Sequence, residues 1–167
     1  MRIGLGFDVH RFTRKKKSLL LGGVKINCGF GVEAVSDGDV VLHAVCDAIL
    51  GAVSLGDIGD YFPPGAEESK RLKSVDIALF VIKKIKKSYL IENIDITIIA
   101  DNPPLVKYKK KMVDYLSKLF NTCVNIKIKS KEGLDIPSKE AISCYAAVLL
   151  KKRNVGRRTS KNLGGIW

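Results

Sequence analysis

Histidine is nearly absent from this chain: His10 and His43 are the two among 167 residues. Aromatic residues make up 7% and tryptophan occurs once, at Trp167, so the lysines have few rings beside them with which to stack on bases. No apolar run approaches the ~20 residues that a spanning helix needs, which leaves no membrane partner to expect. Met1-Arg2-Ile3-Gly4 carries no apolar signal region, and the expected location is the cytoplasm. No two of Cys28, Cys46, Cys123 and Cys144 form a C-x-x-C pair. The last three lie within or beside apolar segments, so all four read as buried, reduced thiols rather than disulfides or a cysteine metal site. Walker A, G-x-G-x-x-G and G-x-S-x-G motifs are missing too, and Ser36 has no histidine near it in sequence. Any catalysis is therefore expected to rest on metal electrostatics rather than on a covalent nucleophile.

What is present is globular: 46% hydrophobic and 28% charged residues. The reading is a single catalytic domain over residues 1–152, followed by a basic, Gly-rich tail, 153–167, expected to be loose. The net charge is +12, with lysines clustered at 15–17, 83–87, 107–111 and 127–131. The groups at 83–87 and 107–111 read as solvated helix faces. The group at 127–131 alternates along a strand-like segment and suits an anionic ligand. Charge alone also fits a nucleic-acid-binding domain, but no recognition motif accompanies it, and no nucleic-acid partner is expected.

Residues 2–11 predict a strand, and 18–27 its hairpin partner, turning through Gly22-Gly23. Ser36 and Asp39 resemble a capping box ahead of an apolar helix over 39–55 that Gly56 ends. Residues 57–73 predict a loop. Helices are predicted over 74–88, 104–120 and 138–152, and strands over 91–100 and 124–131. This order gives an α/β (α+β) two-layer sandwich: a mixed four-stranded-type sheet with a small N-terminal hairpin and helices packed on one face.

Asp8 and His10 are two apart on a strand, so their side chains share a face. His43 lies on the apolar helix in a narrow polar stripe, Asp39, His43 and Asp47, spaced by four. A polar stripe on a buried helix needs partners, and a metal on His43 would supply one. Three protein ligands with one position open is the arrangement of a catalytic zinc site; a structural zinc site would want a fourth ligand, and no fourth candidate is visible. The alternative is a hydrogen-bonded core histidine at 43 and a surface histidine at 10. Glu132, beyond Lys129-Ser130-Lys131, suits a second divalent ion on a diphosphate, or a plain surface ion pair.

Three motifs, in this order and spacing, carry a resemblance: Gly6-Phe7-Asp8-Val9-His10; Ser36-Asp37-Gly38-Asp39-Val40 followed by His43; and Leu55-Gly56-Asp57-Ile58-Gly59 with Phe62-Pro63. Together with the stretches from Asp95 to Ala100 and Asn125 to Lys127, they resemble the 2-C-methyl-D-erythritol 2,4-cyclodiphosphate synthase family over residues 1 to about 152. The resemblance implies a trimeric, non-mevalonate isoprenoid enzyme. In that reaction the 2-phosphate of a cytidine diphospho-methylerythritol attacks its own β-phosphorus and CMP leaves. It implies zinc on Asp8, His10 and His43, and Mg²⁺ or Mn²⁺ on Glu132. Asp57 and Gly59 would hold the methylerythritol hydroxyls, with Ser36 near its phosphate. Ala100, Pro103, Leu105 and Val106 would wall the cytidine pocket at a subunit interface, with Lys129 and Ser130 near the phosphates. The chain departs from the pattern at Val35 (usually His), Pro64 (usually Asp), Pro104 (usually Lys), at Lys129-Ser130-Lys131 (usually Thr-rich) and at Pro137-Ser138-Lys139-Glu140 (usually Gly-Arg-Gly-Glu). Lys129, Lys131 and Lys139 are expected to compensate near the phosphates.

Overall fold

A computed structural model describes residues 1–67, 72–135 and 140–153. Lys139, Ser138 and the tail from Asn154 onward, all named above, lie outside the described residues. The elements run β1 (Arg2–Thr13), β2 (Ser18–Leu21), β3 (Val24–Asn27), β4 (Gly31–Val32), α1 (Val40–Ala52), α2 (Ser74–Ile85), β5 (Tyr89–Ile99), α3 (Lys109–Phe120), β6 (Cys123–Lys129) and β7 (Ala141–Lys152), with 3-10 turns at Ile58–Asp60 and Val106–Tyr108. Among the described residues one mixed five-stranded sheet has the order β4-β1-β7-β5-β6, and β2 and β3 form a separate ribbon. Strands β5 and β6 are parallel, while β7 runs antiparallel to both β1 and β5. This is the expected two-layer sandwich, with a two-residue β4 added at the edge.

Two sequence expectations need correction. The segment 138–152 is not a helix: from Ala141 onward it is β7, the strand between β1 and β5. Ala, Leu and Lys favour a helix, and the outward positions Tyr145, Ala147 and Leu149 are apolar like the inward ones, which hides in the sequence the alternation that the strand's burial shows. The segment 18–27 does turn through Gly22-Gly23, but it pairs within itself, Ser18 opposite Asn27 and Leu21 opposite Val24. The partner of β1 is β7, from Arg2 opposite Leu150 to Arg11 opposite Ala141.

The polar stripe of α1 explains how the ribbon is attached. Asp39, not Ser36, is the N-cap, and its buried carboxylate accepts from the backbone N–H groups of Val41 and Leu42 (both 3.1 Å). The same carboxylate accepts from Gly22 (2.8 Å) and Gly23 (2.7 Å), the two left-handed residues of the ribbon's turn. One side chain thus caps a helix and holds a hairpin.

Strand β1 is inverted relative to an ordinary half-buried strand. Its inward positions are Gly4, Gly6, Asp8 and His10; its outward ones are Ile3, Leu5, Phe7 and Val9, all exposed. The glycines let α1 lie almost on the strand backbone. A Cβ on Gly4 would sit 1.9 Å from the Ala48 carbonyl oxygen, and one on Gly6 2.0 Å from that of Ala44. Cys46 and Cys144 are buried in this layer, and burial pushes both thiols up; Cys123, expected to be buried, is exposed at the start of β6.

Gly6→Ala must push α1 off β1. We expect a loss of about 1–3 kcal/mol in denaturant unfolding. Gly51→Ala, on the open side of the same helix with nothing within 4 Å, should gain about 0.5–1 kcal/mol. Equal effects at the two sites would contradict the packing described.

Candidate active site

The close seating of α1 on β1 sets the site. His43 projects from the second turn of α1 toward the end of β1, and its Nδ1 lies 2.9 Å from Oδ2 of Asp8. His10 Nε2 lies 3.2 Å from the same oxygen. One ligand atom from each of the three residues falls within 4.8 Å of the others. His10 Nε2 is shielded from solvent, lacks hydrogen-bond geometry to Asp8, and has no other hydrogen-bond partner. An orphaned imidazole nitrogen beside a carboxylate oxygen, with a second imidazole nitrogen on that oxygen, is a donor set that a divalent cation completes. The three residues fit a metal.

The electrostatics agree. Burial alone would raise the Asp8 carboxyl, but the imidazoles of His10 and His43 outweigh it and hold the group far below the usual carboxylate range. Burial also opposes charge on His43. The hydrogen bond and charge of Asp8, then the charges of Asp39 and Asp37, override it and raise His43 above its ordinary 6.5.

The triad opens on a cavity of about 210 Å³ lined by His10, Ala34, Val35, Ser36, His43, Ile58, Gly59, Phe62, Pro64, Leu72 and Ile77. Ser36 and Gly59, assigned above to the substrate, line the same cavity as the triad. So do Val35 and Pro64, which makes that wall more apolar than the family pattern. Asp57 caps the 3-10 turn, its Oδ1 accepting from Gly59 N (2.8 Å) and Asp60 N (3.2 Å). Asp47, one turn along α1 from His43, accepts from Ile58 N at 2.9 Å and so ties that turn to the helix that carries His43. Sequence reasoning placed Asp47 in the polar stripe without finding this partner, because the contact joins two elements.

The remaining candidates form a second group. Parallel β5 and β6 end side by side, with Ala100 N donating to Lys129 O (3.0 Å) and Lys131 N to Asp101 Oδ1 (2.8 Å). Ala100, Pro103, Leu105, Val106, Lys129, Ser130 and Glu132 lie on this edge, and none lines the cavity of the triad. Val106 is 74% exposed, whereas Leu105 packs in the core. Lys129, Ser130 and Glu132 are exposed, and the Ser130 hydroxyl donates to the Glu132 carboxylate. Lys131 does not stand free as a phosphate cation. It is 4% exposed, and its ammonium donates to Ala141 O at 2.5 Å. Lys127 likewise is engaged, with Asp95. Two of the lysines in the 127–131 run are therefore structural, and Lys129 keeps its exposed position.

A sequence model of the YgbB family matches residues 1–151. The chain belongs to the YgbB family. Its relatives include the 2-C-methyl-D-erythritol 2,4-cyclodiphosphate synthase of Francisella philomiragia, 44% identical over 159 residues, covering 90% of this chain and 98% of that protein. A bifunctional IspD/IspF enzyme of Pelagibacter ubique is 48% identical over 149 residues; there the match covers 86% of this chain and 40% of the longer relative. Solved structures of the family superpose on the present one. A 2C-methyl-D-erythritol-2,4-cyclodiphosphate synthase in its CDP-bound form gives a TM-score of 0.82 at 31% identity, over 90% of this chain and 100% of that one. The CDP complex of IspF from Plasmodium falciparum gives 0.78 at 37% identity, over 92% and 97%.

The shifts at the triad set a pH signature for the metal-free protein. A raised His43 contributes stability that is complete below about 6.5 and lost as pH rises through its folded value. A lowered Asp8 contributes above about 3.8 and loses its contribution as pH falls. Melting temperature in the presence of a chelator should therefore fall on the alkaline side. Added metal should reverse that arm, because metal displaces the His43 proton. A flat alkaline limb, with and without metal, would count against the triad.

Proposed function

We propose that this chain converts 4-diphosphocytidyl-2-C-methyl-D-erythritol 2-phosphate to 2-C-methyl-D-erythritol 2,4-cyclodiphosphate and CMP, as a phosphorus-oxygen lyase of non-mevalonate isoprenoid biosynthesis in the cytoplasm. The observation that carries this reading is the Asp8, His10 and His43 donor set at the mouth of a cavity that also holds Ser36 and Gly59. Its relatives are named for the same conversion, and two solved relatives hold CDP.

An oxygen of the 2-phosphate bonds to the β-phosphorus as the bond between that phosphorus and the bridging oxygen of CMP breaks. The attacking oxygen is already ionised at neutral pH, so the chain needs no general base and no nucleophile of its own. Its work is to fold the substrate back on itself and to offset charge. Asp57 and Gly59, on the turn anchored by Asp47, hold the methylerythritol hydroxyls, and Ser36 lies near its phosphate. Zinc held by Asp8, His10 and His43 would supply positive charge to the β-phosphate, and Mg²⁺ or Mn²⁺ on Glu132 would supply it between the two phosphates. Lys129 and Ser130 offer a cation and a hydroxyl from the β5–β6 edge. Lys139 is assigned to the same phosphates on the resemblance.

Two features support association into a homo-oligomer, which the resemblance makes a trimer. The candidate residues fall into two groups, and the outward face of β1 with Tyr145 of β7 leaves Ile3, Leu5, Phe7 and Val9 exposed together. Joining the metal cavity of one chain to the β5–β6 edge of the next would complete each site and cover apolar sheet.

The direct test is CMP release from the substrate with zinc and Mg²⁺ present. Metal-dependent release that falls by about a hundred- to a thousandfold in His43→Ala, as expected when a charge-stabilising group in the site is lost, supports the assignment. A folded, zinc-loaded protein that releases no CMP contradicts it. Leu5→Glu, on the outward face, should sediment as a monomer, keep its zinc and lose turnover. An active monomer would remove the argument for a shared site.

A further inference from the structure

The metal ligand His43 is held from behind by a relay that the reaction itself does not need. Its Nε2 lies 2.9 Å from the hydroxyl of Ser74, the fully buried first residue of α2. That hydroxyl in turn donates to Oδ1 of Asp37, while Oδ2 of Asp37 accepts from the Ser74 backbone N–H at 3.0 Å. The formal N-cap of α2, Lys73, offers no side-chain bond, so Asp37 supplies the acceptor for that helix start from across the fold.

The proton count decides the direction of the chain. A serine hydroxyl has one proton, and here a carboxylate takes it. Toward His43 the Ser74 oxygen can then only accept, so Nε2 must carry the hydrogen. A neutral His43 is thereby left with its lone pair on Nδ1, the atom facing Asp8 Oδ2 at 2.9 Å. Two lone pairs at that distance repel unless a cation lies with them. The arrangement selects the tautomer that can ligate and aims it at the Asp8 oxygen.

We propose that Asp37 and Ser74 are positioning residues for the metal, fixing His43 as the Nε2–H tautomer and coupling the start of α2 to metal affinity. This rests on the reading of Asp8, His10 and His43 as a metal site. Replacing Asp37 by Asn keeps the shape but gives one acceptor where two were used. With the amide nitrogen turned to Ser74, the hydroxyl would donate to Nε2 and leave the proton on Nδ1, the wrong nitrogen for the metal.

The test uses the full chain. Zinc affinity is measured by competition with a chelator for wild type, Ser74→Ala and Asp37→Asn, and the tautomer of His43 is read from its ring nitrogen chemical shifts in metal-free protein at alkaline pH, where the ring is neutral. Each variant should bind zinc about 10–100-fold more weakly than wild type, the range for loss of a partner behind a ligand. Wild-type His43 should carry its proton on Nε2, and Asp37→Asn should show Nδ1–H. Should Ser74→Ala fail to fold, the near-isosteric Asp37→Asn decides alone. Zinc bound equally by wild type and variants, or Nδ1–H in wild type, overturns the relay while leaving the metal site standing. A wild type that takes up no zinc overturns both.

Discussion

Everything in the site depends on how closely one helix lies on one strand. Gly4 and Gly6 place no side chain between β1 and α1, and the small Ala44 and Ala48 face them. The helix therefore rests against backbone rather than on a side-chain layer. That brings His43 within bonding distance of Asp8 on the next inward position of the strand. A layer of ordinary aliphatic residues would widen the gap by several ångströms, beyond what one cation can bridge. The inversion of β1 follows from the same demand. Its inward face is given to Gly4, Gly6, Asp8 and His10, so its apolar residues face outward and are exposed.

The polar residues of α1 divide the remaining work by position. Asp39 at its start binds the β2–β3 turn, His43 faces Asp8, and Asp47 holds the 3-10 turn at Ile58. Each reaches a different neighbour because residues four apart lie on one face but at successive heights along the axis. An apolar helix with three such groups acts as the spine on which separate pieces of the site are registered. Ser74 and Asp37 extend that register to α2.

Much of this was legible before any coordinates. Asp8 and His10 share a face because a strand has period two, and the spacing of Asp39, His43 and Asp47 marked one stripe of a buried helix that needed partners. The element order gave the sandwich. What could not be read were partnerships between elements. Nothing local says that Asp39 serves Gly22 and Gly23, that Asp47 meets Ile58, or that Ser74 stands behind His43. Lys131 reads as a solvent-facing cation in sequence, but the fold turns its ammonium inward to the carbonyl of Ala141 at the start of β7. The β7 error has a similar root. A strand whose outward residues, Tyr145, Ala147 and Leu149, are as apolar as its inward ones shows no polar alternation, and helix-favouring residues then suggest the wrong period.

The place of β7 has a consequence for how the chain comes into being. It is the latest in sequence of the strands among the described residues, yet it lies between β1 and β5 and is hydrogen-bonded to both. During synthesis β1 emerges well before its long partner β7. At ordinary translation rates the interval is on the order of ten seconds. Throughout it, the backbone of β1 has an open edge and a row of apolar side chains with nothing to join. The main sheet therefore cannot close until β7 is made, and its assembly waits on a contact between segments far apart in the chain.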